Sequence, residues 1–331
     1  TVATNTLLEG TGARVGLLTT RGFRDSLEAR RGIRPDPWDH RTPYPPVLVP
    51  RYLRLPVTGR IDATGSETEP LELDDVRAAC EVFHVEGVDS IAVCLLNSFV
   101  NPKHEQTVAE FLRKNAVCNW ISVSSEIVPI IGEYERSSTT TVNAYVMPRV
   151  ASYLQALQDR LIDMGLKTKL LMLQSNGGAT SLDQLIHQPV NLLLSGPSAG
   201  VGAMQHLAAG IGESNLVSME IGGTSCDVML MHEGRVAIKN SLSVNDYDLV
   251  TPSVDIHTVG AGGGTIAGID LAGLMYAGPE GAGARPGPAA YGLGATDPTV
   301  TDAHLVLGRL RPGPYADGSV ELDISAAEKA I

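Results

Sequence analysis

Between residues 14 and 174, short continuously apolar segments alternate with segments whose apolar residues recur at helical spacing. Ser90–Leu96 is typical of a strand covered on both faces. Residues 73–86 have helical periodicity, with Asp74 and Asp75 in the first turn. The alternation continues with predicted strands at 14–19, 119–124 and 169–174 and predicted helices at 104–115 and 136–163, the last broken at Pro148. This order predicts an α/β protein with a parallel or mixed sheet.

The pattern changes after about residue 215. Predicted strands at 216–221, 226–231 and 236–239 are joined by glycine-containing turns, which indicates a β-meander, and a further hairpin is predicted at 266–277. The stretch 34–50 contains six prolines, so an extended loop is expected there. A length of 331 residues suits two domains of about 150 residues each.

Charge and cysteine spacing exclude several function classes. The formal net charge is −12 and no Lys/Arg cluster is present, which argues against a nucleic-acid partner. The cysteines form no C-x-x-C pair, so neither a zinc site nor a disulfide framework is expected and a reducing cytoplasm fits best. No apolar run reaches the roughly 20 residues of a membrane span, so no membrane partner is expected. Since the sequence begins without Met, Thr1 is not expected to be the true N-terminus.

The segment Leu216–Met231 carries the strongest chemical signal. A predicted strand ends near Glu220, turns through Gly222–Ser225 and continues as a second strand that contains Asp227. Glycines remove the Cβ atoms that would block an oxyanion, and consecutive turn amides can converge on one. Glu220 and Asp227 could hold Mg²⁺, which takes few carboxylates and completes its shell with water and phosphate oxygens. The alternative is a plain hairpin whose glycines only satisfy the turn geometry.

A second glycine cluster lies in Asp255–Ala267, at Gly260 and Gly262–Gly264. Ordering so many glycines is entropically costly, which favours a ligand lying against the backbone. The alternative is a flexible surface loop. His257, beside this cluster, is either catalytic or a hydrogen-bonded structural histidine.

Together these segments resemble the hydantoinase A / oxoprolinase family. The similarity covers nearly the whole chain and rests on motifs that occur in the family's order, including EIGGTSCD, DIHTVGAGGGTIA and TVTDAHLVLG. The matching segments are 1–25, 97–105, 133–148, 173–178, 193–201, 220–227, 255–267 and 283–308.

The resemblance implies an actin-like ATPase fold of the α/β class, with two RNase H-like halves around a nucleotide cleft. Residues 1–135 would form the hydantoinase A N-terminal-type region and residues 136–331 the ATPase-like domain, each incomplete at its outer end. The implied activity is ATP-dependent hydrolysis of a cyclic amide, a hydantoin or a 5-oxoproline-like lactam, through phosphorylation of the amide oxygen. A cytoplasmic enzyme with a hydantoinase B-type partner subunit or domain is implied, and a homo-oligomer is compatible with it.

The resemblance also implies roles for individual residues, with ATP and Mg²⁺ as the cofactors. A phosphate loop falls on Gly222, Gly223, Thr224 and Ser225, and a nucleotide-side loop on Gly262, Gly263 and Gly264. Asp227 takes the acidic position of the motif and is the expected catalytic residue, and Glu220 and Asp227 are the expected metal ligands.

The chain departs from the family pattern at three places. Glu220 replaces the usual Asp, and Ser198-Ala199 replaces the usual Ala-Gly. The upstream Asp-x-Gly-Gly-Thr hairpin, the other phosphate loop, is missing, and we expect truncation ahead of Thr1 rather than loss of the loop. Two alternatives therefore stay open: an ATP-dependent carboxylase subunit of the acetone or acetophenone type, and an actin-like nucleotide-binding scaffold without chemistry of its own.

Overall fold

The computed structural model describes residues 2–32, 36, 38–39, 41–42, 46–115, 117–315 and 318–331. Its helices, in chain order, are α1 Val2–Leu8, α2 Ser26–Ala29, α3 Leu73–Val85, α4 Lys103–Lys114, α5 Ser124–Ile127, α6 Glu133–Asp163, α7 Leu182–His187, α8 Ser195–Ser198, α9 Gly200–Ile211, α10 Val300–Val306 and α11 Ile324–Ala330. Short 3₁₀ turns lie at Arg51–Leu53, Pro189–Leu192 and Ala289–Tyr291. Across the described residues, no helix is both long and apolar enough to cross a membrane.

The strands are short and numerous. In chain order they are β1 Val15–Thr20, β2 Arg54–Val57, β3 Arg60–Ile61, β4 Glu67–Glu69, β5 Ser90–Cys94, β6 Trp120–Val123, β7 Leu171–Leu173, β8 Ala179–Ser181, β9 Leu216–Ile221, β10 Cys226–His232, β11 Arg235–Val236, β12 Ile238–Lys239, β13 Leu242–Val244, β14 Tyr247–Leu249, β15 Ser253–Val254, β16 Ile256–Val259, β17 Thr265–Ile269, β18 Met275–Gly281, β19 Gly313–Tyr315 and β20 Val320–Leu322.

The chain divides into two compact units, one made of residues 1–199 and 238–254 and the other of residues 200–237 and 255–331. We call them unit 1 and unit 2. The predicted boundary between regions 1–135 and 136–331 lies within α6 and does not coincide with the boundaries of the two compact units. It remains a prediction about the sequence regions of the family.

Unit 1 is built on a parallel sheet of order β2-β1-β5-β6. The residues of β1 and β5 are all buried, because helices cover both faces of such a sheet. Helices α3 and α4 supply the connections between its parallel strands. The predicted α/β class with a parallel sheet is therefore confirmed. Of the predicted extended segment 34–50, part lies outside the described residues, and the described part contains no helix or strand.

Helix α6 is the central helix of unit 1, and its first two thirds are almost entirely buried. The predicted break at Pro148 is wrong, because the helix runs unbroken from Glu133 to Asp163 with Pro148 inside it. Proline removes one backbone hydrogen bond from a helix and usually kinks it. Here the residues on both sides, Val146 and Val150, are fully or nearly fully buried, and this packing holds the helix together across the proline.

A buried ion pair ties α4 and α6 to the carboxyl ends of the parallel strands. Glu105 and Arg136 are both fully buried, with 3.6 Å between Oε1 and the guanidinium. The Glu105 carboxylate also accepts hydrogen bonds from the backbone N–H of Leu95 at 2.7 Å and of Ser125 at 2.8 Å. Each buried charge is thus compensated by a partner and by hydrogen bonds, as buried ions require.

Unit 2 contains an antiparallel sheet in which β10 pairs with β9, β11 and β16. The β17–β18 hairpin confirms the hairpin predicted at 266–277. The single strand predicted at 236–239 is wrong: Val236 belongs to β11, whereas Ile238–Lys239 forms β12 and pairs with β15 in unit 1. A small core of Ala290, Leu305, Leu322 and Ala327 joins α10, α11 and β20.

Candidate functional site

The turn Gly222–Ser225 connects β9 to β10 in unit 2. It is closed by one hydrogen bond, from Gly222 N–H to the Ser225 carbonyl at 2.8 Å. In the described part of the chain, the backbone amides of Gly223, Thr224 and Ser225 donate no hydrogen bond. A Cβ atom added to Gly223 would meet no atom within 4 Å. The turn therefore presents three successive unused donors beside open space, an arrangement that can receive an oxyanion.

The second glycine cluster packs directly on this turn. Gly263 N–H donates to the Gly222 carbonyl at 2.9 Å, and Gly264 N–H donates to the Gly223 carbonyl at 2.8 Å. A Cβ atom on Gly262 would lie 2.6 Å from the backbone carbon and oxygen of Gly223. Close approach of two backbones thus accounts for glycine at position 262. The structure brings the two predicted glycine segments together.

Helix α10 supports the second glycine segment. Thr301 N–H donates to the Gly263 carbonyl at 2.7 Å. The helix begins with a capping box in which Thr299 and Asp302 exchange side-chain and backbone hydrogen bonds. Asp302 is fully buried and also accepts from the backbone N–H of Ala290 at 2.8 Å. Because Thr299 and Asp302 cap each other and Thr301 is bonded to Gly263, α10 is a firm support for the loop.

Glu220 and Asp227 lie directly opposite each other on β9 and β10. The Thr258 hydroxyl, on the neighbouring strand β16, donates to Asp227 Oδ1 at 2.6 Å. Opposed like charges on adjacent strands are destabilising unless a cation lies between them. Among the residues described, no group of three or more His, Cys, Asp or Glu side chains could hold a metal ion. Two carboxylates, with water and phosphate oxygens completing the shell, are ligands that Mg²⁺ accepts, so these two residues could hold it.

A cavity of about 570 Å³ opens beside the glycine turn in unit 2. One wall is backbone, contributed by Gly222, Gly223 and Gly263. Most of the rest is apolar or aromatic and is contributed by Ile221, Tyr291, Leu310, Tyr315, Val320 and Leu322. Three polar side chains, those of Thr301, His304 and Arg309, complete the lining. The volume falls within the range of about 300–1,000 Å³ typical of organic-ligand sites.

Sequence reasoning missed Thr258, Thr301, His304 and Arg309 as site residues. Thr258 follows His257, which was a candidate catalytic residue because of its imidazole but is exposed on β16. The other three lie in and just after α10, whose start is signalled by the capping-box pattern of Thr299 and Asp302. That signal locates the helix but does not tell which loop the helix contacts.

Ser198, one of the departures from the family pattern, has a structural role. It lies in the four-residue helix α8 and is buried. Its hydroxyl donates to the Ser175 carbonyl at 2.8 Å. The polar atom that this substitution adds is thus hydrogen-bonded inside unit 1.

Comparison with known proteins agrees with the resemblance seen in the sequence. The family profile described as Hydantoinase/oxoprolinase matches residues 136–331, and the Hydantoinase/oxoprolinase N-terminal region matches residues 1–116. The chain is 39% identical to the caprolactamase subunit alpha of Pseudomonas jessenii over 333 residues, covering 100% of this chain and 48% of the relative. It is 37% identical to the acetophenone carboxylase gamma subunit of Aromatoleum aromaticum, covering 100% of this chain and 47% of the relative.

The structure also resembles the crystal structure of the ATP-dependent caprolactamase from Pseudomonas jessenii. The TM-score is 0.85 at 39% identity, and the match covers 100% of this chain and 48% of that one. The predicted actin-like ATPase type of α/β fold is therefore confirmed. The chain spans about half the length of these relatives. Since a family profile covers well over half of the chain, the protein belongs to the hydantoinase/oxoprolinase family.

Proposed function

We propose that this protein is the nucleotide-using part of an enzyme that hydrolyses a cyclic amide at the expense of ATP. The amides of the Gly222–Ser225 turn hold phosphate oxygens, and Gly262, Gly263 and Gly264 bound the nucleotide from the other side. Glu220 and Asp227 would hold Mg²⁺, and Asp227, which takes the acidic position of the motif, is the proposed catalytic residue. The observation that carries the proposal is the row of three unused turn amides beside an opposed pair of carboxylates.

The chemistry explains why ATP would be needed. An unstrained amide resists attack by water. Phosphorylation of its oxygen makes the amide carbon more electrophilic and turns the oxygen into part of a good leaving group. The amide oxygen attacks the γ-phosphorus and ADP departs. Water then adds to the activated carbon, the carbon–nitrogen bond breaks with protonation of the nitrogen, and a second water releases phosphate. The net products are ADP, phosphate and the ring-opened acid, which is an amino acid from a lactam and an N-carbamoyl amino acid from a hydantoin.

The chain's own residues supply positioning and charge stabilisation in this scheme. Phosphoryl transfer depends mainly on holding the reacting oxygens in line and on stabilising the charge of the phosphoryl group. Backbone amides that are fixed before the reaction serve this purpose at no reorganisation cost. Bound Mg²⁺ would neutralise part of the phosphate charge. The hydroxyl of Thr258 orients the Asp227 carboxylate toward its role, since it fixes Oδ1 at 2.6 Å.

A turnover assay tests the proposal. The protein is assayed with Mg·ATP and a panel of lactams and hydantoins, alone and with a hydantoinase B-type partner subunit. We expect phosphate release that depends on the cyclic amide, together with stoichiometric ring opening. Asp227→Asn should lower kcat by at least tenfold, while Glu321→Gln, a matched loss of one exposed charge on β20, should leave it unchanged. ATP turnover that no cyclic amide stimulates in any combination would refute the hydrolase assignment.

The alternative activity is that of an ATP-dependent carboxylase subunit. It is favoured by the 37% identity to an acetophenone carboxylase gamma subunit. Both activities begin with phosphorylation of a carbonyl oxygen, so the site itself does not separate them. The dependence of ATP turnover on bicarbonate and a ketone, rather than on a cyclic amide, identifies the carboxylase.

A further inference from the structure

A second cavity, of about 610 Å³, opens in unit 1 at the amino ends of the parallel strands. Its walls come from the segments that lead into β1, β5 and β6 and from one side of α6 around Pro148. All of its lining residues belong to unit 1. The volume falls within the range of about 300–1,000 Å³ typical of organic-ligand sites, and the proposed function leaves this cavity without a role.

The wall formed by residues 11–13 is fixed to α6. Ala13 N–H donates to the Tyr145 carbonyl at 2.9 Å, and Arg149 Nη1 donates to the Thr11 carbonyl at 3.0 Å. A Cβ atom on Gly12 would lie 2.3 Å from the Tyr145 ring, so glycine is what lets the loop approach the helix this closely. This wall is therefore in place before any ligand binds, which lowers the entropic cost of binding.

The wall that carries Asp89 is held by hydrogen bonds between neighbouring loops. Arg14 N–H donates to Asp89 Oδ2 at 3.0 Å, and Asp89 N–H donates to the Arg14 carbonyl at 2.9 Å. The Cys118 thiol donates to the Asp89 carbonyl at 2.9 Å. The Ser90 hydroxyl donates to the Trp120 carbonyl at 3.3 Å. The three segments that precede β1, β5 and β6 are thus joined around the cavity.

The cavity carries two opposite charges that do not pair with each other. Arg149 and Asp89 both line it and are both exposed. Within the described ranges, neither side chain takes part in an ion pair. Arg149 uses one guanidinium nitrogen, for the Thr11 carbonyl, and Asp89 uses one carboxylate oxygen. Trp120 adds a half-buried indole to the same cavity.

We propose that this cavity binds a small zwitterion, an ω-amino acid whose carboxylate pairs with Arg149 and whose ammonium pairs with Asp89. Its methylene chain lies against Trp120. Guanidinium groups bind carboxylates through two parallel hydrogen bonds, and Nε and Nη2 of Arg149 are free to form them. Ring opening of a lactam yields an acid of this class, so the site would sense the product; this consequence alone rests on the proposed function.

Tryptophan fluorescence measures the binding. The chain contains two tryptophans, and Trp38 is 92% exposed, so Trp38→Phe leaves Trp120 as the reporter in the cavity. The probes are ε-aminocaproate, caproate, which lacks the ammonium, and n-hexylamine, which lacks the carboxylate. We expect ε-aminocaproate to bind with a dissociation constant of about 1 mM and each single-charge analogue to bind about tenfold more weakly.

Variants of the two charged residues should each affect one end of the ligand. Arg149→Gln should weaken ε-aminocaproate to the affinity of n-hexylamine and leave n-hexylamine unchanged. Asp89→Asn, which keeps an acceptor for Arg14 N–H, should weaken ε-aminocaproate to the affinity of caproate and leave caproate unchanged. The matched controls Arg160→Gln and Asp163→Asn remove exposed charges of α6 that do not line the cavity, and they should change none of the three affinities.

The outcomes separate this site from the proposed function, because no nucleotide is present. Saturation-transfer NMR of the ligand repeats the titration, and if neither method detects binding of ε-aminocaproate below about 50 mM, the zwitterion site is refuted. Equal affinities for the three probes, or equal losses in the control and cavity variants, also refute it. In each case the proposed function stands. Zwitterion binding without amide-dependent ATP turnover has the opposite meaning, since it refutes the proposed function and leaves the site in place.

Discussion

Two glycines in the candidate site are required for different reasons. At Gly262 the backbone of the neighbouring turn stands where a side chain would be, 2.6 Å from the ideal Cβ position. At Gly223 the space is open, and neither residue has a positive φ. The fold therefore accounts for Gly262, whereas a ligand in the open space would account for Gly223.

Substitution at these two glycines should separate folding from binding. Gly223→Val should leave the free energy of unfolding within about 0.5 kcal/mol but weaken Mg·ADP at least tenfold, because the new side chain occupies the oxyanion's place. Gly262→Ala should instead destabilise the protein by about 1–3 kcal/mol through overpacking. Urea denaturation measures the first quantity and calorimetry the second. Unchanged Mg·ADP affinity in folded Gly223→Val would show that the phosphate does not lie on this turn.

At the residue scale, the sequence predicts which residues face each other across one turn. It does not predict contacts between residues that lie far apart in the chain. Glu220 and Asp227 flank a short turn, so their opposition follows from hairpin pairing. Arg309 and Tyr315 reach the same cavity only through the packing of α10 and the β19–β20 hairpin. Neither periodicity nor turn chemistry encodes that contact.

At the scale of helices and strands, the buried Glu105–Arg136 pair should be strongly structural. Glu105→Ala would leave Arg136 charged and buried and two backbone N–H groups unpaired, so we expect a loss of about 3–5 kcal/mol in the free energy of unfolding. Arg113→Ala, which breaks an exposed pair from the same helix to Glu126, should cost about 0–1 kcal/mol. Urea titrations of both variants give the comparison. Equal losses would mean that the buried pair adds nothing to the attachment of α4.

Asp75 should make the attachment of α3 dependent on pH. Hydrogen bonding from Thr58 lowers the pKa of this carboxyl below its ordinary value of 3.8, and Arg21 adds to the effect. The Thr58 N–H donates to Asp75 Oδ2 at 2.8 Å. A carboxyl whose pKa is lower in the folded state stabilises the fold above its unfolded pKa, and this contribution is lost as pH falls through the folded pKa.

Asp75→Asn should therefore be less stable than the unaltered protein at pH 6–8, and the difference should shrink below about pH 4. Asp74→Asn, at a neighbouring position whose side chain is 84% exposed, should change stability by less than about 0.5 kcal/mol. Denaturant titrations across pH measure both differences. A difference for Asp75→Asn that stays constant from pH 3 to pH 8 would contradict the assigned hydrogen bonding.

Elements were predicted well where the hydrophobic pattern alone decides them. The parallel strands of unit 1 are buried on both faces, and a continuous apolar run is a strong sign of that environment. The errors arose where packing overrides a local rule. Pro148 lies inside α6 because neighbouring buried residues hold the helix. The stretch 236–239 is divided between two strands because β12 pairs with β15 rather than with β10.

At the scale of the whole molecule, the two units should respond unequally to nucleotide. The residues proposed to hold phosphate and metal all lie in unit 2. Hydrogen exchange measured with and without Mg·ADP should therefore show its largest protection at Gly222–Ser225 and around Gly262–Thr265, because the turn amides gain hydrogen bonds to the ligand and the second segment packs on that turn. Protection confined to unit 1 would contradict the placement of the site.

The fold class could be derived from the sequence because alternation of strands and helices is a global pattern. The division into two compact units could not be derived from the sequence, because residues 238–254 belong to unit 1 although they follow the first segment of unit 2. Such a return depends on tertiary pairing, as in β12 with β15, and composition does not mark it.

The two glycine segments and the start of α10 are connected by a series of hydrogen bonds. The Gly222 carbonyl is bonded to Gly263 N–H, and the Gly263 carbonyl in turn is bonded to Thr301 N–H at the start of α10. A ligand that displaces the turn should displace the start of α10 with it, because Gly263 is hydrogen-bonded to both. If phosphate binds at the turn as proposed, we therefore expect it to restrain the start of α10 as well.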